Sequence, residues 1–220
     1  SAIDPDYSLY GISCRDVRAI VSAVSTGEFG QKAVEANLED MDWLGYAPHK
    51  VVKASERIEH YYEPVEKLIG KRAVYVCQCP QEDIKKQRAT GKACKCRDRA
   101  QAENLKMWRD MLAGKYDEGE AVLRVKTDMG HPDPAIRDWV AFRILKASHP
   151  LVGNKYTVWP MLDFEGAIED KLQGVTHIIR GKDLRDSTER QKYLYNYMGW
   201  TYPETHYWGR IGIHEFGKLS

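Results

Sequence analysis

The fold is decided by residues 158–183, which carry the sequence VWPMLDFEGAIEDKLQGVTHIIRGKD. Residues 156–159, which overlap the start of this stretch, are rich in strand formers. Residues 164–172 can form a helix that ends at Gly174. Residues 175–179 form an apolar run that is typical of a strand buried on both faces. The stretch therefore predicts one βαβ unit.

Charged side chains follow both predicted strands. Asp163 comes shortly after the first strand, and the run from Arg180 to Asp183 comes directly after the second. Ligands of such units bind beyond the carboxyl ends of the strands, so a substrate site is expected where these side chains converge. A solvated loop is the alternative, because loops are usually charged, and the spacing leaves both interpretations open.

Composition limits the class of protein. The 220 residues, of which 43% are hydrophobic, can bury one large core or two smaller ones. With 33 basic and 32 acidic residues the net charge is +1, so any contact with RNA requires a local patch. No apolar run approaches the roughly 20 residues of a membrane span, and residues 1–6 lack the basic and apolar character of a secretory signal. A soluble, cytoplasmic protein without a membrane partner is expected.

Four of the five cysteines occur as two close pairs, Cys77 with Cys79 and Cys94 with Cys96. Such pairs fit metal ligation in a reducing compartment better than a disulfide framework. Four thiolates can complete a tetrahedral zinc site with little chain to order. The spacing therefore predicts a structural Zn²⁺, with unligated thiols as the alternative.

A local positive patch surrounds the second cysteine pair. Between residues 85 and 99 seven basic side chains stand against a single acid, Asp98. The basic residues are Lys85, Lys86, Arg88, Lys92, Lys95, Arg97 and Arg99. The patch is predicted to attract RNA phosphates, and a solvated helix face is the alternative.

Hydrophobic periodicity and capping residues predict the other elements. Helices are predicted over residues 14–25, 32–44 and 99–112, and Asp98 is the predicted cap of the last of these. Two more helices are predicted to begin after a cap at Ser55 and at a capping box formed by residues 186–189. Strands are predicted over residues 73–76, 121–126, 139–146 and 206–213, of which the second and third suggest a small sheet.

Three segments carry a family resemblance: WPMLDF at residues 159–164, GVTHIIRGKD at 174–183, and GRI with GKLS within 209–220. They resemble the catalytic domain of class I glutamyl-tRNA synthetases, of the archaeal type related to glutaminyl-tRNA synthetases. The similarity runs from about residue 37 to residue 220. The His-Ile-Gly-His signature with which the family binds ATP is absent from the sequence, and the second signature loop stops at residues 218–220.

The resemblance implies an α/β fold: a Rossmann-like class I synthetase catalytic domain interrupted by an inserted zinc-containing α+β domain that binds the tRNA acceptor end. The N-terminal part of the nucleotide-binding domain would be residues 1–75, of which 1–31 remain unassigned. The inserted acceptor-binding domain would be residues 76–154, and the C-terminal half of the nucleotide-binding domain residues 155–220.

The implied activity is that of a glutamate–tRNA ligase. Such an enzyme uses ATP, with Mg²⁺, to convert glutamate to glutamyl-adenylate and then transfers the glutamyl group to the 3′ end of tRNA. Because one ATP signature is absent, the isolated chain is expected to fall short of the rate of a complete enzyme. A glutaminyl-tRNA synthetase and a non-catalytic zinc and tRNA-binding module are the alternatives.

Two side chains are predicted to be catalytic. Arg180 is predicted to bind a substrate carboxylate, because its planar fork suits one, and Lys218 to bind the ATP phosphates. Asp163 and Asp183 are predicted to lie beside Arg180 in the substrate site. For tRNA phosphates, the predicted contacts are Lys85, Lys86 and Arg88.

The resemblance assigns further contacts. It implies that Leu162 and Asp163 border the amino-acid pocket, although many relatives place a tyrosine at the position of Leu162. It also implies that Arg210 and Ile211 flank the nucleotide and that Asp186 faces the tRNA acceptor end.

Overall fold

The structure is a computed structural model that describes residues 20–21, 28–43, 45, 52–149, 151–209, 212–213 and 217–218. These residues divide into two compact units. One comprises the described residues of 1–58 and 146–156, and the other those of 59–145 and 157–220. Every predicted site residue that the structure describes belongs to the second unit.

Six α-helices and ten short strands occur among the described residues. The helices are α1 (Glu28–Trp43), α2 (Ile58–Gly70), α3 (Gln81–Thr90), α4 (Gln101–Leu112), α5 (Leu162–Leu172) and α6 (Arg185–Met198). The strands are β1 (Ile20–Val21), β2 (Val52–Lys53), β3 (Val74–Cys77), β4 (Val122–Val125), β5 (Val140–Ile144), β6 (Val158–Pro160), β7 (His177–Gly181), β8 (Glu204–Trp208), β9 (Gly212–Ile213) and β10 (Gly217–Lys218). The predicted helices over 32–44, 99–112 and 164–172 and the predicted strands over 73–76, 121–126 and 139–146 are confirmed to within a few residues.

In the first unit, β1 pairs in parallel with β2. The predicted helix over residues 14–25 is therefore wrong at Ile20 and Val21, and its other residues lie outside the described ones. Both side chains are β-branched, which favours a strand over a helix, and periodicity alone does not separate the two in a short apolar run.

The second unit is built on an antiparallel sheet with the strand order β3-β4-β5-β6. One face of this sheet carries an aromatic core. The ring of Phe142 on β5 lies 5.2 Å from that of Trp108 on α4, 4.8 Å from that of Phe164 on α5 and 5.9 Å from that of Tyr62 on α2. These contacts hold three helices against the same face.

The opposite face of the sheet carries the cysteines. Tyr75 pairs with Arg124 and Cys77 pairs with Val122, so all four side chains point away from the aromatic core. Cys77 and Tyr75 are fully buried there in a cluster with Ile84 of α3 and with Cys94 and Cys96. The small sheet therefore has one face that packs aromatic side chains and an opposite face that carries the reactive thiols.

The predicted βαβ unit over residues 156–179 is wrong in its pairing. Strand β6 belongs to the antiparallel sheet, whereas β7 pairs in parallel with β8 across α6. The parallel βαβ unit is thus β7-α6-β8, which begins at the strand where the predicted unit was expected to end. Nor is β7 buried on both faces, because Ile179 is 61% exposed. An apolar run indicates a strand but does not specify which strand pairs with it.

Several predicted helix starts are also wrong. Ser55 and Asp98 lie in short 3-10 turns at Ala54–Arg57 and Lys95–Asp98, and neither caps a helix. Helix α6 already begins at Arg185, so residues 186–189 form its first turn rather than a capping box. The predicted stop at Gly174 is confirmed by its positive φ of 66° directly after α5.

The predicted terminal strand over 206–213 is two strands. Strand β8 pairs with β7, and β9 pairs antiparallel with β10. Among the described residues, every helix is too short or too polar to cross a lipid bilayer.

Gly91 ends α3 in the left-handed conformation and sits beside the loop that follows β4. Its φ is +69°, and a Cβ placed there would lie 2.8 Å from the carbonyl oxygen of Met129. Gly114 has a similar φ of +71°, but a Cβ there would meet no atom within 4 Å. The two positions therefore separate the cost of the backbone conformation from the cost of a steric clash.

We expect Gly114→Ala to lower the free energy of unfolding by about 1–2 kcal/mol, the cost of the left-handed conformation for a residue with a Cβ. Gly91→Ala should cost more, because the backbone at Met129 must also move. Urea unfolding of both variants measures the difference. If both variants lose the same free energy of unfolding, the backbone at Met129 moves aside at no measurable cost.

Candidate metal centre and substrate site

The four paired cysteines converge on one point. Their Sγ atoms all lie within 4.8 Å of one another, and those of Cys77 and Cys94 are 3.8 Å apart. A tetrahedral zinc site with Zn–S bonds of about 2.3 Å has its sulfurs about 3.8 Å apart. Of the side chains that the structure describes, these four form the one group of at least three potential ligands that comes together in this way. The thiols therefore form a possible metal site, as the spacing predicts.

Strand β3 and a turn supply these thiols. Cys77 is the last residue of β3, Cys79 follows two residues later, and Cys94 and Cys96 flank the start of the 3-10 turn Lys95–Asp98. Three of the thiols are buried and Cys79 is partly exposed. The cluster therefore lies close to the protein surface at Cys79.

The thiols are held in an electrostatically uneven environment. The hydrogen bond from Cys77, helped by the Tyr75 hydroxyl and the charge of Arg124, holds the pKa of Cys94 well below its usual range. The same hydrogen bond, together with burial, raises the pKa of the Cys77 thiol. A thiolate is the form that ligates metal, so the cluster already favours one ligand in its reactive state.

A buried carboxylate fixes the turn that carries Cys96. Asp138 is fully buried, and its Oδ2 accepts hydrogen bonds from the Tyr75 hydroxyl at 2.8 Å and from Arg97 Nε at 2.9 Å. Its Oδ1 accepts one from the backbone N–H of Thr127 at 2.8 Å. Strand β3, the cysteine turn and the loop after β4 are therefore joined at one side chain.

The predicted positive patch separates into two kinds of residue. Its lysines are exposed, and Lys85 pairs with Glu82 one turn earlier on α3. Its arginines are partly buried and bound to the protein itself: Arg97 to Asp138, and Arg99 to the carbonyl of Val76. The lysines are thus the exposed basic side chains of the patch, which an external phosphate can reach.

Arg88, a predicted phosphate contact, belongs to the second kind. Its Nε donates to the carbonyl of Pro134 at 3.1 Å, and its Nη2 donates to that of Ala135 at 2.7 Å. The side chain ties α3 to the loop that follows β4.

Arg180 lies on β7 with its guanidinium held by neutral groups of α6. Its Nη1 donates to Thr188 Oγ1 at 3.3 Å and to Gln191 Oε1 at 3.2 Å. The Oε1 atom of Gln191 also accepts a hydrogen bond from the Tyr202 hydroxyl at 2.6 Å, and its Nε2 donates to the carbonyl of Asp163 at 3.2 Å. Gln191 therefore sets the position of Arg180 relative to the start of α5.

Burial and nearby charge shift the pKa values of two groups beside Arg180. Burial raises the pKa of Tyr202 to about 12, so its hydroxyl remains protonated at neutral pH and can donate to Gln191. Burial also raises the pKa of Asp170 to about 6, and the nearby positive charge of Arg180 opposes that rise. Arg180 is therefore a positive charge whose described hydrogen-bond partners are neutral.

Asp163, in contrast, is already engaged. It is 9% exposed, and its Oδ2 lies 2.6 Å from Arg190 Nη1 on α6. Arg190 Nε also donates to the carbonyl of Ala135 at 2.8 Å, the oxygen that Arg88 contacts. The predicted substrate residue is thus linked through Arg190 to the loop beside the cysteine cluster.

The other predicted site residues are spread over the same unit. Leu162 opens α5 and is 56% exposed, and Asp186 lies partly exposed in the first turn of α6. Asp183 is exposed and folds back over Gly181, where a Cβ would collide with its Oδ1. The backbone of Lys218 lies in β10.

Arg210 and Ile211, the predicted nucleotide contacts, lie outside the described residues.

Sequence reasoning missed four residues that organise the site: Asp138, Arg190, Gln191 and Arg124. Each acts on a partner that is distant in sequence; Arg190 and Asp163, for example, are 27 residues apart. One usable signal was Gly166 on α5, where a Cβ would lie 3.2 Å from Gln191 Nε2. A glycine inside a helix often marks such a close approach.

The architecture defines a class of protein. It resembles crystal structures of glutamate tRNA ligases, among them the one from Elizabethkingia meningosepticum in complex with its amino acid, with a TM-score of 0.58 over 88% of this chain and 42% of that one. At 19% identity this likeness concerns the fold alone, which is the α/β fold of a class I synthetase catalytic domain. The family model described as tRNA synthetases class I (E and Q), catalytic domain, matches residues 29–220, and the chain belongs to this family.

Relatives that are similar in sequence are archaeal glutamate–tRNA ligases, which confirms the resemblance predicted from the sequence. The chain is 59% identical over 189 residues to a glutamate–tRNA ligase of Archaeoglobus fulgidus and 56% identical over 191 residues to one of Methanosarcina mazei. In both cases the similarity covers 86% of this chain and 34% of the relative. A glutamate–tRNA ligase of Pyrococcus furiosus is 49% identical over 177 residues. The chain spans about a third of the length of the curated relatives that it matches.

We expect about one zinc ion per chain in protein purified without added metal, because four thiolates make a high-affinity site. Cys94→Ser should lose most of this metal, whereas Cys14→Ser should retain it, since Cys14 stands apart from the two close pairs in the sequence. Elemental analysis of the three proteins gives the stoichiometry. A value near zero in the unmodified protein, or full metal content in Cys94→Ser, would contradict a site made by these four cysteines.

Proposed function

We propose that this chain is the greater part of the catalytic domain of a glutamate–tRNA ligase. The support is its membership of the glutamyl and glutaminyl class I family together with the archaeal relatives, which carry the name glutamate–tRNA ligase at 49–59% identity. In the proposed reaction the carboxylate of glutamate attacks the α-phosphate of ATP, and pyrophosphate leaves. A hydroxyl of the terminal tRNA ribose then takes the glutamyl group from the adenylate.

The geometric observation that carries the proposal is the state of Arg180. Its guanidinium is partly buried and oriented by Thr188 and Gln191, which are neutral, so its charge is not cancelled by a bonded carboxylate in the described part of the chain. Arg190 next to Gln191 shows the opposite state, because it is paired with Asp163. An oriented guanidinium whose hydrogen-bond partners are neutral is suited to a carboxylate ligand, which it can bind through two parallel hydrogen bonds.

Positioning and charge stabilisation would supply most of the catalysis in such a transfer. Arg180 would hold a carboxylate of glutamate, with Leu162, Asp163 and Asp183 bordering the amino-acid pocket. Asp163 would act through its ion pair with Arg190 rather than as a free carboxylate.

The ATP contacts are proposed from the family resemblance. Lys218 would contact the phosphates, and Arg210 and Ile211 would flank the nucleotide, which enters as its Mg²⁺ complex. The corresponding location of the protein would be the cytoplasm, where it would serve protein synthesis.

We also propose the predicted domain organisation. Residues 76–154 would form an inserted domain that binds the tRNA acceptor end, between two parts of the nucleotide-binding domain at 1–75 and 155–220. A structural zinc at Cys77, Cys79, Cys94 and Cys96 would fix both ends of the segment between the two cysteine pairs, which contains α3 and presents the exposed lysines. Asp186 would face the acceptor end. The thiol geometry and the exposure of Lys85 and Lys86 support this assignment.

The activity is tested by ATP–pyrophosphate exchange in the presence of glutamate and tRNA, using the longest natural protein that contains this chain. Arg180→Lys should lower the rate about a hundredfold or more, because a lysine cannot reproduce the two-pronged contact and loss of one such donor has that order of effect. Arg109→Lys is the matched control, since Arg109 is exposed and pairs with Glu66 on α2.

Three results would overturn parts of this proposal. Exchange with glutamine in preference to glutamate would favour a glutaminyl enzyme. Absence of exchange together with tRNA binding would favour a non-catalytic module. Equal rates for Arg180→Lys and Arg109→Lys would remove Arg180 from the substrate site.

The exposed lysines beside the cysteine cluster should contribute to tRNA affinity. We expect Lys86→Glu and the double variant Lys86→Glu with Lys92→Glu to weaken tRNA binding progressively and to reduce the salt dependence of log Kd by about one unit for each lost phosphate contact. Arg88 is a poor choice for this test, because its reversal would also break the bonds to Pro134 and Ala135.

Filter binding at several salt concentrations measures both quantities. Lys67→Glu is the matched control, because Lys67 is likewise an exposed helix lysine, on α2. If all the variants bind with the same affinity and slope as the unmodified protein, the lysines are an ordinary solvated surface.

A further inference from the structure

Arg124 is a buried arginine on β4 whose guanidinium faces the cysteine cluster. The residue is 1% exposed, and its Nε donates to the carbonyl of Asp138 at 2.8 Å. Its Nη1 lies 3.8 Å from the Sγ atoms of both Cys77 and Cys94 and 3.3 Å from Gln87 Oε1. Its Nη2 is buried and has no hydrogen-bond partner among the described residues. The guanidinium is therefore held between the sheet and two of the four sulfurs.

A cation in this place requires negative charge nearby, because a buried charge is costly unless it is paired. The carbonyl of Asp138 and the amide of Gln87 are neutral acceptors. The carboxylate of Asp138 is also buried, but its oxygens accept hydrogen bonds from Tyr75, Arg97 and Thr127, and Arg97 already supplies its counter-charge. Protonated thiols would add no charge at all.

A divalent metal ion held by four thiolates has a net charge of minus two. Such a centre would supply the negative charge that Arg124 lacks, and the two sulfurs that Arg124 Nη1 approaches would be metal-bound thiolates. Hydrogen bonds from outside the ligand shell are a usual means of stabilising bound ligands and orienting them.

We propose that Arg124 is a positioning residue of the metal centre, which donates to the ligating sulfurs of Cys77 and Cys94, balances part of the charge of the tetrathiolate and thereby slows metal release. This inference rests on the metal site proposed above.

Arg99 has a weaker version of the same role. Its Nη2 lies 3.7 Å from Cys96 Sγ, but its Nε pairs with Glu103 at 3.1 Å and its Nη1 donates to the carbonyl of Val76. Part of its charge is therefore cancelled by a carboxylate. Arg124 is the guanidinium for which the sulfurs are the main counter-charge.

The test compares Arg124→Met, Arg124→Lys and the unmodified protein, with Arg109→Met as the control. Zinc content is measured first, and then the rate at which zinc passes to a chromogenic chelator. Arg124→Met should release zinc about 10- to 100-fold faster, the usual effect of losing a group that supports a metal ligand. Arg124→Lys, which keeps the charge but not the fork, should fall between, and Arg109→Met should match the unmodified protein.

Two further readouts separate this role from simple packing. In cobalt-loaded protein the sulfur-to-cobalt charge-transfer band should shift in Arg124→Met and not in the control. Arg124→Met should also lower the Tm of the metal-loaded protein more than that of the metal-free protein, because four metal-bound thiolates give the cation more counter-charge than the metal-free thiols do. A residue that served only to fill space would lower both.

The failures are distinguishable. If the unmodified protein holds no metal, the metal site itself is wrong. If metal is bound but release rate and cobalt spectrum are the same in Arg124→Met as in the unmodified protein, the metal site stands and the role of Arg124 is wrong. Should Arg124→Met fail to fold, Arg124→Lys decides the matter: release as slow as in the unmodified protein and an unshifted cobalt band would also overturn the role.

Discussion

The buried carboxylate of Asp138 is the interaction on which the second unit depends. Without exposure to solvent, it accepts hydrogen bonds from β3 through Tyr75, from the cysteine turn through Arg97 and from the backbone of Thr127. The carbonyl of the same residue holds Arg124. A charge buried this deeply is stable only while its partners stay in place, so the four contacts fix one another. The geometry of the thiol cluster follows from this arrangement.

The loop that ends at Asp138 also connects the cysteine cluster to the proposed substrate site. The carbonyl of Ala135 accepts hydrogen bonds from Arg88 on α3 and from Arg190 on α6, and Arg190 in turn pairs with Asp163 on α5. The carbonyl of Ala135 thus joins α3, which follows the first cysteine pair, to α6. Through Arg190 it is also linked to α5, whose first residues border the proposed amino-acid pocket. In the proposed function both regions would have to be held in register, because the tRNA acceptor end and the activated amino acid would have to meet.

The sequence predicted local features well and distant partners poorly. The cysteine cluster could be predicted because two close pairs need only one loop to bring four thiols together, and α5 because its stop at Gly174 is a local signal. The pairing of β7 with β8 could not, because an apolar run does not specify its neighbour. Nor could the division of the basic patch into exposed lysines and bound arginines, since the acceptors of Arg88 are carbonyls 46 and 47 residues away.

The direct measurement is zinc K-edge X-ray absorption on the natural protein purified without added metal. Four sulfur neighbours at about 2.3 Å are expected, because the thiol cluster has the dimensions of a tetrahedral tetrathiolate site. A shell that contains nitrogen or oxygen, or fewer than four sulfurs, would contradict a centre built from Cys77, Cys79, Cys94 and Cys96.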